Sequence, residues 1–308
     1  MEAKTFNPLK IISAPNDKLS KKLFEMSTED FQDFTDDKTF NLVEGEKYDK
    51  SKRCYLPVKS FVRLKIVHNT ELNKTPLDLF DRAVLAVCQS AWLSGQTQLT
   101  AGTIYRALTG KKSSTQYPSE KQAEEIFNSA QKLSDVLVSV DMTKTNAAFK
   151  YNDGEPLIID HIPILPCHIA GGKFNHTDVE KIIYLDAESP LLTIAKLKKQ
   201  FVNIDVTTFD TGASHNRRET ISAKFYSAMR VAESMRKPSS KRSTPLSRVI
   251  TFDTLFDRCR VTDAPREIKS RVRKAAEGVL ANLKSIGVIS SYKFIKQDGK
   301  FYSAELKK

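Results

Sequence analysis

The chain reads as an α+β protein in which one order of elements, helices followed by strands, occurs twice. Three observations predict this. Apolar residues recur at three- and four-residue steps over 76–95, 119–134, 221–235 and 265–285, the spacing of one buried helical face. Short β-branched runs close each helical series, at 136–140 and again over 288–306. Finally, Thr100-x-x-Thr103-Ile104-Tyr105 is echoed by Thr251-x-x-Thr254-Leu255-Phe256, and Leu133-x-x-Val136-x-Val138 by Leu283-x-x-Ile286-x-Val288.

Residues 1–53 show no sustained apolar period and are expected to form a mobile or loosely attached arm. A strand is expected from Tyr55 to Val67. Phe80, Val84, Val87, Cys88 and Ala91 line one face of the first helix, which Gly95 ends. A second helix runs over about Thr100–Leu108 and is stopped by Gly110, and a third over 119–134 with Ser119 as its N-cap. Val136–Val140 is expected as a strand entering a polar hairpin at Thr143–Asn146. Three helices and a hairpin make one winged-helix unit. Residues 155–186 read as a β-rich insert and 191–201 as a linker helix. The order then repeats: a helix carrying Ile221, Phe225, Ala228, Met229 and Met235, a basic loop at 238–243, a short helix over 251–259 and a long one over 265–285. Gly287 stands at the C-cap position, and two strands flank Gln297-Asp298-Gly299. The expected domains are thus the arm at 1–53, a first winged helix with insert and linker helix at 54–205, and a second at 206–308.

The 308 residues are 40% hydrophobic and 28% charged, the balance of a folded chain with room for two cores. No run approaches the roughly 20 apolar residues that span a bilayer, and the N-terminus lacks a signal peptide's apolar stretch. A cytoplasmic protein with no membrane partner is expected. Cys54, Cys88, Cys167 and Cys259 form no C-x-x-C pair, so neither disulfides nor structural zinc are expected.

Charge divides the chain more sharply than hydropathy does. Residues 217–308 hold 22 Lys and Arg against 9 Asp and Glu, net +13, whereas the whole chain carries +12, so residues 1–216 sum to −1. Cation concentrated in one region is the footprint of a phosphate-backbone binder. On the helix at 265–285, Ile268, Val272, Ala276, Val279, Leu283 and Ile286 define the inner side. At about 100° per residue, Arg266, Ser270, Arg273 and Lys274 fall opposite, with Lys269 on a flank and Arg273 expected mid-face. An Arg there suits a guanine edge, and Lys and Ser suit phosphates; an ordinary solvated face has the same composition. Lys293, Lys296 and Lys300 on the hairpin, Lys241 and Arg242 in the basic loop, and Lys111 and Lys112 before the third helix are further candidates for double-stranded DNA. The first winged helix, 76–150, is nearly neutral with 8 basic and 7 acidic residues, and Glu120, Glu124 and Glu125 at the start of its third helix repel phosphate.

Catalytic signals are thin. His215-Asn216-Arg217-Arg218 contains an H-x-x-R, but Tyr292 and Tyr302 lie in expected hairpin strands instead of in a nucleophile's position. Asp160-His161 and Cys167-His168 lack a third ligand, and no phosphate-binding loop occurs. No enzymatic role is expected.

The order of parts, with Leu197-Lys198-x-x-Phe201-x-x-Ile204-x-Val206 followed by Ala223-x-Phe225-Tyr226-Ser227-Ala228-Met229, resembles the plasmid replication initiator (Rep) proteins. That resemblance implies an initiator that binds direct repeats at a plasmid or mobile-element origin, helps open the duplex and recruits host replication proteins. It further implies a homodimer through the first winged helix, and no nucleotide or metal. Two other readings remain open: a winged-helix transcription regulator or phage DNA-binding protein, and a winged-helix module that binds proteins.

Overall fold

The computed structural model describes residues 9–25, 38–49, 54–66, 76–111, 117–141, 158–174, 178–212, 216–235, 248–297 and 300–307. In chain order these form β1 (Ile11–Pro15), α1 (Lys18–Phe24), β2 (Lys38–Asp49), β3 (Cys54–Ile66), α2 (Leu79–Leu93), β4 (Gln98–Thr100) and α3 (Ala101–Thr109). Next come α4 (Glu120–Asp135), β5 (Val136–Asp141), β6 (Ile158–Pro163), β7 (Cys167–Phe174), β8 (Asp178–Leu185), α5 (Pro190–Lys198) and β9 (Phe201–Asp205). After a 3-10 turn at Val206–Phe209, the chain ends with α6 (Arg218–Met235), β10 (Val249–Thr251), α7 (Phe252–Arg258), α8 (Arg266–Ser285), β11 (Ser291–Gln297) and β12 (Lys300–Lys307). Small sheets alternate with helices in a mixed α+β architecture.

The chain gathers into two compact units. One comprises Met1–Ala14, Asp78–Ile126 and Val202–Lys308; the other comprises Pro15–Leu77 and Phe127–Phe201. The boundaries expected at 53/54 and 205/206 do not separate them.

Why the first unit joins distant stretches follows from its side chains. Asp78 and Asp81 cap α2 reciprocally, each carboxylate accepting from the other's amide at 3.0 Å. Arg218 of α6 donates to Asp78 Oδ2 at 2.8 Å and to Asp81 Oδ1 at 3.2 Å, and lies 4.5 Å from the centroid of the Phe80 ring. Leu79 of α2 shares a core with Ala223 of α6, Phe252 and Leu255 of α7, and Val272 and Ala276 of α8. Residues 206–211 are held from three sides. Gly110, the left-handed cap of α3 at φ +74°, stands so close that a Cβ there would collide with the backbone of Val206, Phe209 and Asp210. Asn282 of α8 donates to the carbonyls of Thr208 and Asp210 at 3.1 and 2.7 Å, and a Cβ on Gly278 would meet the Thr211 side chain at 2.7 Å. Lys224 of α6, 1% exposed, donates to Phe209 O at 2.9 Å and Asn216 Oδ1 at 2.7 Å. The amino-terminal strand belongs here too: Ile12 and Ala14 of β1 are fully buried, and β1 lies beside β9.

In the second unit β2, β3, β5 and β6 form one sheet in that order. β5 pairs antiparallel with β3 from Phe61↔Asp141 to Ile66↔Val136, and with β6 on its other side. It is therefore an inner strand of a four-stranded sheet and not one arm of a two-stranded wing; the hairpin tip at Thr143–Asn146 lies outside the described residues. β7 and β8 make a regular antiparallel pair from Cys167↔Leu185 to Phe174↔Asp178. Ser189, at the start of α5, donates its hydroxyl to Ile164 O at 2.7 Å, and buried Asp17 caps α1 through Ser20. Among the described residues no helix is long and apolar enough to cross a membrane.

Candidate nucleic-acid interface

α8 packs Val272, Ala275, Ala276, Val279, Leu280 and Leu283 inward; of the residues expected on that side Ile268 is half-buried and Ile286, at the helix end, is exposed, which corrects its placement in the core. Of the residues expected outside, Arg266 and Lys274 are exposed, while Lys269, Ser270 and Arg273 are half-buried. The exposed positions Arg266, Glu267, Lys274, Glu277, Ala281, Lys284 and Ser285 centre on a line through Ser270, Lys274 and Glu277. Arg273 is thus on the flank of the outer face, about 70° from its middle. Two carboxylates, Glu267 and Glu277, share that face.

The sheet that follows α8 has the order β10-β12-β11. β12 pairs antiparallel with β10 from Val249↔Glu305 to Thr251↔Ser303, and with β11 from Ser291↔Lys307 to Gln297↔Lys300. Its attachment to α7 is aromatic: Phe252 sits 6.2 Å from Phe256 and 5.9 Å from Phe294, and Phe294 meets Tyr292 edge-on at 5.5 Å. Burial and the nearby Glu277 raise the Tyr292 phenol above its ordinary pKa. Lys293 and Lys296 are exposed on β11, with Lys293 directly opposite Glu305 in register. Lys300 starts β12. Lys111 is half-buried beyond the cap of α3. Lys112, Lys241, Arg242 and His215 lie outside the described residues.

Sequence reasoning missed a cleft of about 940 Å³ at the N-terminal end of α8. Its walls come from the starts of α4 and α6, the loop between α7 and α8, and α8 itself at Ile268 and Arg271. Arg271 pairs with Glu219 at 3.6 Å. Burial lowers the Arg218 guanidinium's pKa, but Asp78 and Asp81 outweigh it, and the net shift is upward. Burial, with Asp78 and Glu219, also pushes the Cys259 thiol in this wall well above its ordinary value, so it offers no thiolate. No sequence motif signals the cleft, because its residues are spread between 78 and 271.

In the second unit His161 Nδ1 stands 2.6 Å from Asp160, and His168 Nδ1 stands 2.8 Å from Asp186 while stacking on Tyr184 at 5.0 Å. Burial, with Asp186 and Asp135, pushes the Cys167 thiol up to about 12. Among the described residues no three His, Cys, Asp or Glu side chains gather as metal ligands would.

No family model and no curated protein matches the chain. Two crystal structures of domains 2 and 3 of RctB, one from selenomethionine derivatives, align with it at 12% identity over 88% of its length. They are covered to 90% and 92%, with TM-scores of 0.36 and 0.37. A likeness that distant carries neither fold nor function from one chain to the other.

Proposed function

We propose that the chain is a sequence-specific double-stranded DNA-binding protein, and within that class a replication initiator acting at repeated sites of a plasmid or mobile-element origin. The observation that carries the DNA reading is the +13 charge of residues 217–308 combined with exposed cations on two adjoining elements, α8 and β11. The order α6-β10-α7-α8-β11-β12, with a sheet of order β10-β12-β11, supports a winged helix over 206–308. α8 is then the groove-entering helix and the β11–β12 hairpin the wing. The matching order α2-β4-α3-α4 supports a second, related unit. The initiator role rests on the Rep-like segments alone.

In this reading Arg266, exposed in the first turn of α8, contacts a base edge, with Lys274 and Ser270 beside it. Lys293 and Lys296 hold phosphates. Arg266→Ala is expected to lose about 1–3 kcal/mol of preference for the specific site while keeping non-specific binding. Lys293→Ala with Lys296→Ala is expected to weaken all duplexes alike and to flatten the salt dependence by up to about two contacts' worth. Duplexes selected from a random pool, then competed against scrambled ones at two salt concentrations, test both. Salt-insensitive binding would defeat the DNA reading. Selected sites that do not recur as repeats beside the gene would defeat the initiator role.

A further inference from the structure

We infer that the cleft at the N-terminal end of α8 is a second phosphate-backbone site, which holds one strand of the duplex beside the segment that α8 reads. This rests on the DNA-binding reading above. All of the lining belongs to the first unit. Among the described residues, six lining side chains are Lys or Arg and three are Asp or Glu. The carboxylates are engaged from within the wall. Asp78 meets Arg218 at 2.8 Å and Glu219 meets Arg271 at 3.6 Å, while Glu125 adds to the field around Arg218. Lys121, Arg217 and Arg260 are the exposed cations of the lining, on three different stretches of chain that converge on one opening.

Arg260 is held in an unusual backbone state. Its φ of +55° is left-handed, a conformation costing a non-glycine residue roughly 1–2 kcal/mol. Turn bonds fix it, with Arg260 N donating to Asp257 O and Val261 N to Phe256 O, both at 2.9 Å. These two bonds are those of a left-handed helix cap closing α7, and they fix the place from which Arg260 leaves the helix.

The chemistry favours phosphate over base. Among the described lining residues Tyr105 is the one aromatic and is 8% exposed, so these residues offer bases no stacking platform. The volume lies within the ~300–1,000 Å³ of sites that enclose small ligands, which suits the sugar–phosphate edge of one strand and not a whole duplex. The cleft therefore adds affinity without reading sequence.

The test uses the full chain with Lys121→Gln, Arg217→Gln and Arg260→Gln combined, each at an exposed position. Binding to a selected site and to random duplex is measured across a salt series. The expected result is a slope less steep by up to about 2.7, three contacts at ~0.9 each. Affinity falls alike for both duplexes and the preference between them stays the same. Arg217→Lys with Arg260→Lys keeps the slope. If the triple variant loses stability, Arg260→Gln alone decides the matter: the slope should fall by about 0.9, and an unchanged slope overturns the proposal. An unchanged slope in a folded triple variant, or an altered preference, overturns the cleft alone. A wild-type chain that binds no duplex overturns the DNA reading together with it.

Discussion

The two long helices that close the two helical series, α4 and α8, are reached by the same local route and carry opposite surfaces. Each follows a three-residue strand and a short helix headed by threonine. Thr100 caps α3 by accepting from the Thr103 amide at 3.1 Å, and Thr251 donates its hydroxyl to Thr254 at 2.7 Å. α4 then opens with Glu120, Glu124 and Glu125, whereas α8 opens with Arg266, Lys269 and Arg271. α8 lies wholly within the first unit, while α4 has its first turns there and its remainder in the second. A shared order of elements therefore says little about shared work. Apolar spacing repeats, whereas side-chain capping and the charge that would meet a polyanion do not.

The largest effect expected tests whether the two series share one core. Arg218→Ala leaves the carboxylates of Asp78 and Asp81 facing each other, with the Asp81 side chain fully buried. Stranding buried charge in this way costs about 3–5 kcal/mol, read as a fall in the urea midpoint of the full chain. Arg271→Ala breaks a 3.6 Å pair whose members are 33% and 20% exposed, and should cost less than about 1 kcal/mol. Equal losses would mean that Arg218 does not tie α6 to α2, and that the apolar core around Leu79 joins the series without it.

Much of the helical framework was legible because its signals are local. The stripe of α8, the Ser119 cap of α4, and Gly110 at the end of α3 each act within a few residues. Ser119 and Gln122 do cap α4 reciprocally, at 2.9 and 3.3 Å. Partner choice was not legible. β5 alternates as a wing strand would, and only its non-local neighbours β3 and β6 reveal an inner strand. The shared core of Leu79 with Val272 depends on contacts nearly two hundred residues apart, which no periodicity encodes. Lys224 was hidden for the opposite reason: lysine in a basic region reads as solvated surface, yet it is one of the most buried side chains.

That lysine supplies the next expected effect. Burial, with Lys111, lowers its pKa and Asp210 raises it, for a net value of about 8 against an ordinary 10.5. Below pH 8 both folded and unfolded chains hold the proton and the burial penalty is present in full. Between pH 8 and 10.5 the unfolded chain binds more proton than the folded one, so this site's contribution to stability rises with pH. The rise is roughly 3 kcal/mol at most. Lys224→Met removes this gradient but also two hydrogen bonds. The readout is therefore the difference in urea midpoint between wild type and variant, which should move in favour of wild type from pH 8 to 10.5. A difference that stays flat would show that Lys224 titrates as an ordinary lysine.

The smallest effect bears most directly on the contrast between α4 and α8. Glu120 and Glu124 are exposed in the opening turns of α4, where negative charge complements the helix dipole by about 0.3–1 kcal/mol. Arg266 and Lys274 are exposed on α8, where Arg266, at the same end of the dipole, gains nothing from it. Neutralising each pair should therefore act with opposite signs. Glu120→Gln with Glu124→Gln is expected to lower the urea midpoint slightly and to raise duplex affinity a few-fold at low salt, by removing repulsion from phosphate. Arg266→Gln with Lys274→Gln is expected to leave the midpoint within about 0.5 kcal/mol and to lower duplex affinity. If duplex affinity is unmoved by the α4 change, that helix stands beyond a Debye length of the bound phosphates, about 10 Å at 0.1 M salt, and the Lys121 contact assigned to the cleft falls with it. If affinity falls instead, the carboxylates of α4 make a favourable contact, and the charge asymmetry between the two helices is not what divides their roles.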